Sequence, residues 1–265
     1  GIRSVKQGYS EVGVTRIADP ATIRRAYEGD DTARSYLSAR FSNELNLLLH
    51  DRQVARVKRV LRAVPMGRVL EIAPGPGRVT REIEYAGTLV CLEYNWAMIR
   101  EGRAACAGNS SPRFGKACWL RGDAFALPFM QCFDVIYSFR FLRHFEDDDR
   151  QRLYSEIRRV LRPGGWLVFD AVNMRVSLPL RQAHPEQYHI YDRLYRDESE
   201  LQAELEAAGF ELVEAEPVQR WYSAQCRAQV LLGPRSRWLC RLAIRTLERL
   251  RRGPALEWIV TCRRG

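Results

Sequence analysis

The sequence predicts a doubly wound α/β fold, a mostly parallel sheet of seven strands with helices on both faces. Three observations predict it. Short apolar runs alternate with amphipathic stretches along the chain, an alternation that gives parallel strands joined by helical crossovers. The first run, Val69-Leu70-Glu71-Ile72, breaks at once into Ala73-Pro74-Gly75-Pro76-Gly77-Arg78, where side-chain-free Gly75 and Gly77 let a backbone turn approach a ligand closely. A second run, Leu89-Val90-Cys91-Leu92-Glu93, ends in an acid about 20 residues after the first turn, the spacing at which a carboxylate reaches ribose hydroxyls.

Taken in order, residues 1 to 30 are polar and mixed, with Ala18-Asp19-Pro20 placed to open a helix. From Asp31 to Arg62 the pattern is helical: Leu45, Leu48, Leu49, Val54, Val57, Val60 and Leu61 recur at three and four, giving one apolar face. After the first two strands, Gly122-Asp123-Ala124-Phe125-Ala126-Leu127-Pro128-Phe129 precedes a fourth strand at Phe133–Ser138. Asp147 to Asp149 put negative charge at the start of a helix whose buried stripe is Leu153, Ile157, Val160 and Leu161. Pro163-Gly164-Gly165 stops that helix, and Trp166–Asp170 is the fifth strand. A helix from Glu198 to Ala208 ends at Gly209, and Phe210–Val218 and Leu256–Cys262 are the last two strands. Two segments interrupt the core: Met174 to Arg196, with too little periodicity for a core element, and Trp221 to Gly253.

At 265 residues and 46% hydrophobic content, one large domain with insertions fits better than two. No apolar run approaches the ~20 residues needed to span a bilayer, which predicts a soluble chain. Seven scattered cysteines (91, 106, 118, 132, 226, 240 and 262) with no C-x-x-C pair read as buried thiols in a reducing cytoplasm, not as a disulfide frame or zinc site. No secretory signal is visible, and Gly1 in first place suggests a natural start further upstream. Four histidines, none paired at helix spacing, exclude an obvious metal-ligand set.

Two other nucleotide-binding patterns fit less well. A dinucleotide fingerprint wants a third glycine where Thr80 stands, and it has no place for the acid-plus-Leu-Pro segment at Asp123–Pro128. A phosphate loop of the Walker type needs a Gly-Lys-Ser/Thr that does not follow. The order and spacing of the five pieces resemble the class I S-adenosylmethionine-dependent methyltransferase family, in its branch of small-molecule enzymes similar to methyltransferase type 11. The resemblance covers roughly residues 50 to 172 plus the sheet-closing end of the chain. Ala73 departs from it, standing where the family usually has its first glycine.

The resemblance implies a Rossmann-like sheet with its last strand antiparallel, an N-terminal helical lid at 1–62, and a core at 63–265 with insertions at 174–196 and 221–253 near the pocket. It implies S-adenosylmethionine as cofactor, S-adenosylhomocysteine as product, and a small-molecule acceptor methylated at oxygen or nitrogen. Glu71, Ala73, Gly75 and Gly77 would wrap the methionine end, with backbone amides of the turn beside the amino-acid moiety. Glu93 would take the ribose hydroxyls and Tyr94 would lie against the adenine. Asp123 would accept the exocyclic amine, Ala124 would offer its N–H to the ring, and the Ser138-Phe139 backbone would close over the amino-acid end.

Acceptor-side expectations remain open between a chemical and a structural role. His144, on the rim after the fourth strand, suits a general base near neutral pH or simply packs at a helix start. Tyr27, on the lid, is its candidate partner. Arg140 and Arg143 would hold an acceptor carboxylate or phosphate, or else pair with Asp147, Asp148 or Asp149. Tyr188, His189, Tyr191 and Tyr195 would form an aromatic wall, or pin the insertion to the core.

The net charge of +10 is uneven: from Arg227 onward ten arginines stand against Glu248 and Glu257. Ser236 caps a helix on which Arg237, Arg241, Arg245 and Arg249 repeat every four residues. That stripe reads either as a surface for an anionic substrate, a membrane leaflet or, least favoured, nucleic acid, or as the solvated face of a packed helix. Oligomeric state is not legible; methylation of an anionic or lipid-like acceptor at a membrane surface is the second enzymatic reading, and a cofactor-binding scaffold without turnover is the non-enzyme alternative.

Overall fold

Local sequence explains the order of the elements in the computed structural model, which describes residues 43–107, 114–188, 190–250 and 252–265. Tyr27 and His189, and the helical reading of residues 31–42, lie outside these. Helix α1 (Glu44–Arg62) begins at Asn43, whose side chain accepts the Asn46 N–H, and buries Leu49, Val57, Val60 and Leu61 against the sheet. Then come β1 (Arg68–Ile72), β2 (Tyr85–Glu93), α2 (Trp96–Ala107), β3 (Phe114–Arg121) and β4 (Phe133–Ser138). They are followed by α3 (Asp147–Val160), β5 (Leu161–Asn173), α4 (Met174–Ala183), β6 (Leu194–Tyr195) and α5 (Glu198–Ala207). The chain closes with β7 (Phe210–Arg220), α6 (Tyr222–Leu232), α7 (Arg237–Arg249) and β8 (Ala255–Arg264).

The sheet runs β3-β2-β1-β4-β5-β8-β7, with the two-residue β6 pairing separately with β5. Strands β1 to β5 pair in parallel, while β8 is antiparallel to both β5 and β7, as the sequence predicts for its last strand. Alternation along each strand sends Leu70, Ile72 and Ile136 to one core layer, with Leu153 and Ile157 of α3 and Leu201 and Leu205 of α5. Val69, Val135 and Tyr137 face the other layer, beneath α1. Because β1 lies between β2 and β4, the chain crosses in opposite directions on its two sides and leaves a crevice beyond the carboxyl ends of these strands.

Three expectations need correcting. The stretch from Met174 to Arg196 holds a helix and a short strand, although it lacks apolar periodicity. The reason is chemical: the residues that α4 buries are Ser177 and Arg181, with Arg181 only 2% exposed, so its inward face is polar. Pro163-Gly164-Gly165 does not stop α3, which already ends at Val160; it forms a register shift inside β5, between the pairs Phe133↔Leu161 and Val135↔Trp166. Of the cysteines expected to be buried, the structure buries only Cys91, Cys240 and Cys262 and exposes Cys118.

Candidate active site

The crevice is a cleft of about 1100 Å³ including its open mouth. Of the sequence-predicted residues, Glu71, Ala73, Gly75, Glu93, Tyr94, Asp123, Ala124, Phe139, Arg140 and His144 line it. Gly77, Ser138, Arg143, Tyr188 and Tyr191 do not.

The turn after β1 is built from alternating backbone signs. Ala73, Gly75 and Gly77 have φ of 53°, 58° and 73°, with Pro74 and Pro76 between them. Ala73 thus holds the left-handed conformation that glycine adopts without cost, which explains the glycine expected there. A Cβ on Gly75 would meet nothing within 4 Å, so the turn leaves a cradle at that point; a Cβ on Gly77 would instead lie 3.4 Å from the Gly102 backbone and from the Trp119 ring. The amides of this turn, expected beside the amino-acid moiety of the cofactor, are engaged within the protein. Two of its residues are prolines, the Ala73 N–H donates to Leu92 O (2.9 Å), the Gly75 N–H to Glu93 Oε2 (3.0 Å), and the Gly77 N–H to Pro74 O (3.2 Å).

Glu93 ties the two loops together, since its Oε1 also accepts the Asn95 N–H at 2.9 Å. Burial raises its pKa against these amide hydrogen bonds, and each carboxylate oxygen retains a second lone pair for a hydroxyl. Glu71 lies deeper, its Oε2 accepting from Thr80 Oγ1 (2.6 Å) and Tyr137 OH (2.9 Å). Burial pushes its carboxyl up to about 7 despite those donors. Arg78, a lining residue that sequence reasoning passed over, is held by α1: its Nη1 is 2.8 Å from His50 Nδ1 and its Nη2 donates to Gln53 Oε1 at 2.6 Å. Burial and the Arg78 and Arg81 charges drive His50 down to about 3, so its ring stays neutral and accepts from Arg78. Asp123 Oδ1 accepts the Phe125 N–H at 3.0 Å, shaping the loop that carries Ala124.

At the opposite wall His144 stands in a short 3₁₀ turn, Leu142–His144, among Phe139, Phe141, Phe125 and Phe145. Its Nδ1 lies 2.8 Å from Asp192 Oδ1 and 3.1 Å from the Tyr191 carbonyl oxygen. Both neighbours are acceptors, so the neutral ring carries its proton on Nδ1 and keeps a lone pair on Nε2. Asp192 is buried, which opposes its ionisation, but the Arg143 charge, the hydrogen bond from His144 and the Arg181 charge hold its carboxyl well below the usual range.

Arg143 is therefore a structural cation, not an acceptor ligand. Its guanidinium donates to Asp192 Oδ1 (2.9 Å), Asp170 Oδ2 (2.9 Å) and Glu257 Oε1 (2.8 Å), none of them the expected Asp147–Asp149 set. Asp170 Oδ1 in turn accepts the N–H of Arg140 at 2.5 Å, fixing Arg140 at φ 59° on the cleft wall. Tyr188 is likewise drawn away from the cleft, its ring 4.6 Å from the guanidinium of Arg181, and Tyr191 meets His144 through its backbone carbonyl. Tyr195 is buried with its OH on Glu204, 2.8 Å away. Asp192 and Asp170 were missed because their partners come from the turn after β4 and from α4, which no local pattern reveals. Among the described residues no group of three or more His, Cys, Asp or Glu is arranged to hold a metal ion.

Fold and cleft define an α/β protein with a crevice beyond its strand ends and acids at the carboxyl ends of β1 and β2. The profile described as "Methyltransferase domain" matches residues 69–165. A ubiquinone/menaquinone biosynthesis C-methyltransferase UbiE of Idiomarina loihiensis is 28% identical over 173 residues, 56% of this chain and 67% of that protein. A malonyl-acyl-carrier-protein O-methyltransferase of Herminiimonas arsenicoxydans is 29% identical over 184 residues, 67% of this chain and 65% of that protein. The chain thus spans about two thirds of the length of these curated relatives. The fold matches that of magnesium protoporphyrin IX methyltransferase from Synechocystis PCC 6803, solved with bound S-adenosylhomocysteine, at a TM-score of 0.65 and 11% identity over 93% of this chain and all of that one. Residues 69–165 thus match a methyltransferase domain, and the sheet around them has the fold of S-adenosylmethionine-dependent methyltransferases.

Proposed function

We propose that the enzyme methylates an oxygen or nitrogen of a small, ring-bearing acceptor, with His144 as general base. The arrangement that carries this reading is the Nδ1 contact to Asp192 and Tyr191, which leaves Nε2 basic on a wall of phenylalanine rings.

The cleft suits the cofactor: the cradle at Gly75, two acids at the strand ends and the cationic Arg78 match an adenosyl amino acid of mixed charge. Glu93 would hold the ribose hydroxyls, Tyr94 and Ala124 would flank the adenine, and Asp123 would meet its amine. With the turn amides already engaged, Glu71 and Arg78 would answer the ammonium and carboxylate of the methionine end. When bound, S-adenosylmethionine supplies a methyl on a sulfonium, a leaving group that needs no acid. The protein's task is alignment, worth about 7–11 kcal/mol in favourable geometry, plus removal of the acceptor proton by His144 Nε2. Arg140, fixed by Asp170, stands where an anionic acceptor group would lie.

The lid at 1–62 ends in α1, whose His50 and Gln53 already reach the cofactor turn through Arg78; Tyr27, earlier in that segment, would join His144 at the acceptor, as would His189. A reducing, cytoplasmic setting fits seven free thiols, and no described helix is long and apolar enough to cross a membrane. The UbiE relative, named a C-methyltransferase, supports a second reading in which the nucleophile is a ring carbon activated by a neighbouring hydroxyl, deprotonated by the same base. Turnover with methyl-labelled cofactor on phenols, carboxylates and amines, with the labelled atom located by NMR, separates the two. Loss of turnover in His144→Gln with retained cofactor affinity supports the base; equal turnover refutes it.

A further inference from the structure

The hairpin formed by α6 and α7 carries an apolar ridge on the side facing away from the protein. Helix α7 turns Cys240, Ile244 and Glu248 inward, against Leu45 and Leu48 of α1. At 100° per residue, Trp238, Leu239 and Leu242 fall on the opposite side. Trp238 is 69% exposed and Leu242 52%, and Val230 at the end of α6 is 71% exposed beside the exposed Leu231. Such a cluster of large apolar side chains on one element marks an interaction surface.

Charge says what kind of surface. Residues 221–253 contain eight arginines and one acid, Glu248. That acid is buried, accepting the Gln219 and Arg220 N–H groups and the Gln225 side-chain amide at 3.1, 2.9 and 2.9 Å, so the hairpin presents no carboxylate to solvent. Arg237, Arg241 and Arg245 are not a free anion stripe: they reach across to Glu44 and Asp51 of α1, at 3.2, 2.7 and 2.8 Å, while remaining half exposed or more. They thereby form a cationic flank fixed beside the apolar ridge.

We propose that this hairpin is a lipid-docking element, which lays Trp238, Leu239 and Leu242 into the interface of an anionic bilayer with its flanking arginines at the lipid phosphates. A bilayer meets both demands at once, apolar contact for a convex ridge and a dense field of negative charge. The placement also has a consequence. Both β5 and β7 run antiparallel to β8, so β7 delivers α6 to the carboxyl edge of the sheet, the edge that holds the cleft. Docking brings the mouth of the cleft towards the lipid surface, and it does so whichever atom the enzyme methylates.

The test is flotation of the full chain with vesicles of roughly equal phosphatidylcholine and phosphatidylglycerol, against phosphatidylcholine alone. The wild type binds the anionic vesicles, binds neutral ones far less, and is released by about 0.5 M salt. Trp238→Ser combined with Leu242→Ser lowers partitioning at least roughly tenfold while S-adenosylhomocysteine affinity is unchanged. If the double variant loses cofactor binding, Leu239→Ser alone is read in the same way. A wild type that stays unbound, or a variant that binds as well as the wild type, overturns the proposal. So does a variant that merely turns a dimer into a monomer on size exclusion, which would assign the ridge to a second copy.

Discussion

His144 and Asp192 form a directed pair, Nδ1 to Oδ1 at 2.8 Å, in which the aspartate is clamped by Arg143 on that same oxygen and by Arg181 on Oδ2. The clamp keeps Asp192 ionised and in place, so the histidine ring cannot rotate without abandoning a charge-assisted hydrogen bond.

Asp192→Asn is expected to lower kcat by about 10²- to 10⁴-fold, in the range of general-base loss and of the wrong-tautomer effect. An asparagine amide facing Nδ1 would move the ring proton to Nε2. ¹⁵N chemical shifts of the His144 ring read this directly: Nδ1–H in the wild type and a changed tautomer in the variant. An unchanged tautomer with unchanged kcat would reduce Asp192 to a packing role.

Arg143 offers a separate check of the cluster. Arg143→Met would leave Asp170, Asp192 and Glu257 buried without their shared cation, and loss of one partner of a buried ion cluster costs about 3–5 kcal/mol. Chemical denaturation measures it; a loss below about 1 kcal/mol would show that water replaces the guanidinium.

Ala73→Gly should stabilise the fold by about 0.5–1 kcal/mol. The left-handed conformation costs an alanine about 1–2 kcal/mol, and the greater freedom of glycine in the unfolded chain cancels part of that gain. Urea unfolding at constant cofactor concentration tests it, and a destabilised variant would contradict the strain.

Glu71 makes a pH prediction with a definite sign. Its carboxyl titrates near 4.5 when unfolded and at about 7 when folded, so the folded chain holds a proton that the unfolded chain has already lost. Stability from this group is fully present below about pH 4.5 and disappears as the pH rises through about 7, a change on the order of 3 kcal/mol. Glu71→Gln, which still accepts from Thr80 and Tyr137, should flatten that dependence between pH 5 and 8; parallel curves for the two proteins would refute it.

What the sequence made legible was local. The apolar run into Gly75, the acid closing β2 and the Asp123 loop each announce themselves within a few residues, and the cleft gathers them. What it hid was long-range. Arg143 sits beside Arg140 in the chain and looks equally suited to an anionic acceptor, yet its acids come from residues 170, 192 and 257. Helix α4 was hidden because its inward side chains are a serine and an arginine, whose burial depends on Asp192. The arginine stripe was visible as a pattern, but only the fold shows it bound to Glu44 and Asp51, with the apolar ridge beside it.

The central claim is that Glu93 and the turn at Gly75 together hold an adenosyl cofactor, and calorimetric titration with S-adenosylhomocysteine at pH 7 tests it most directly. One equivalent should bind the wild-type chain, and Glu93→Ala should bind at least roughly tenfold more weakly, having lost charge-assisted hydrogen bonds to the ribose. Equal affinity in both proteins, or no heat in folded wild type at millimolar ligand, would contradict the account.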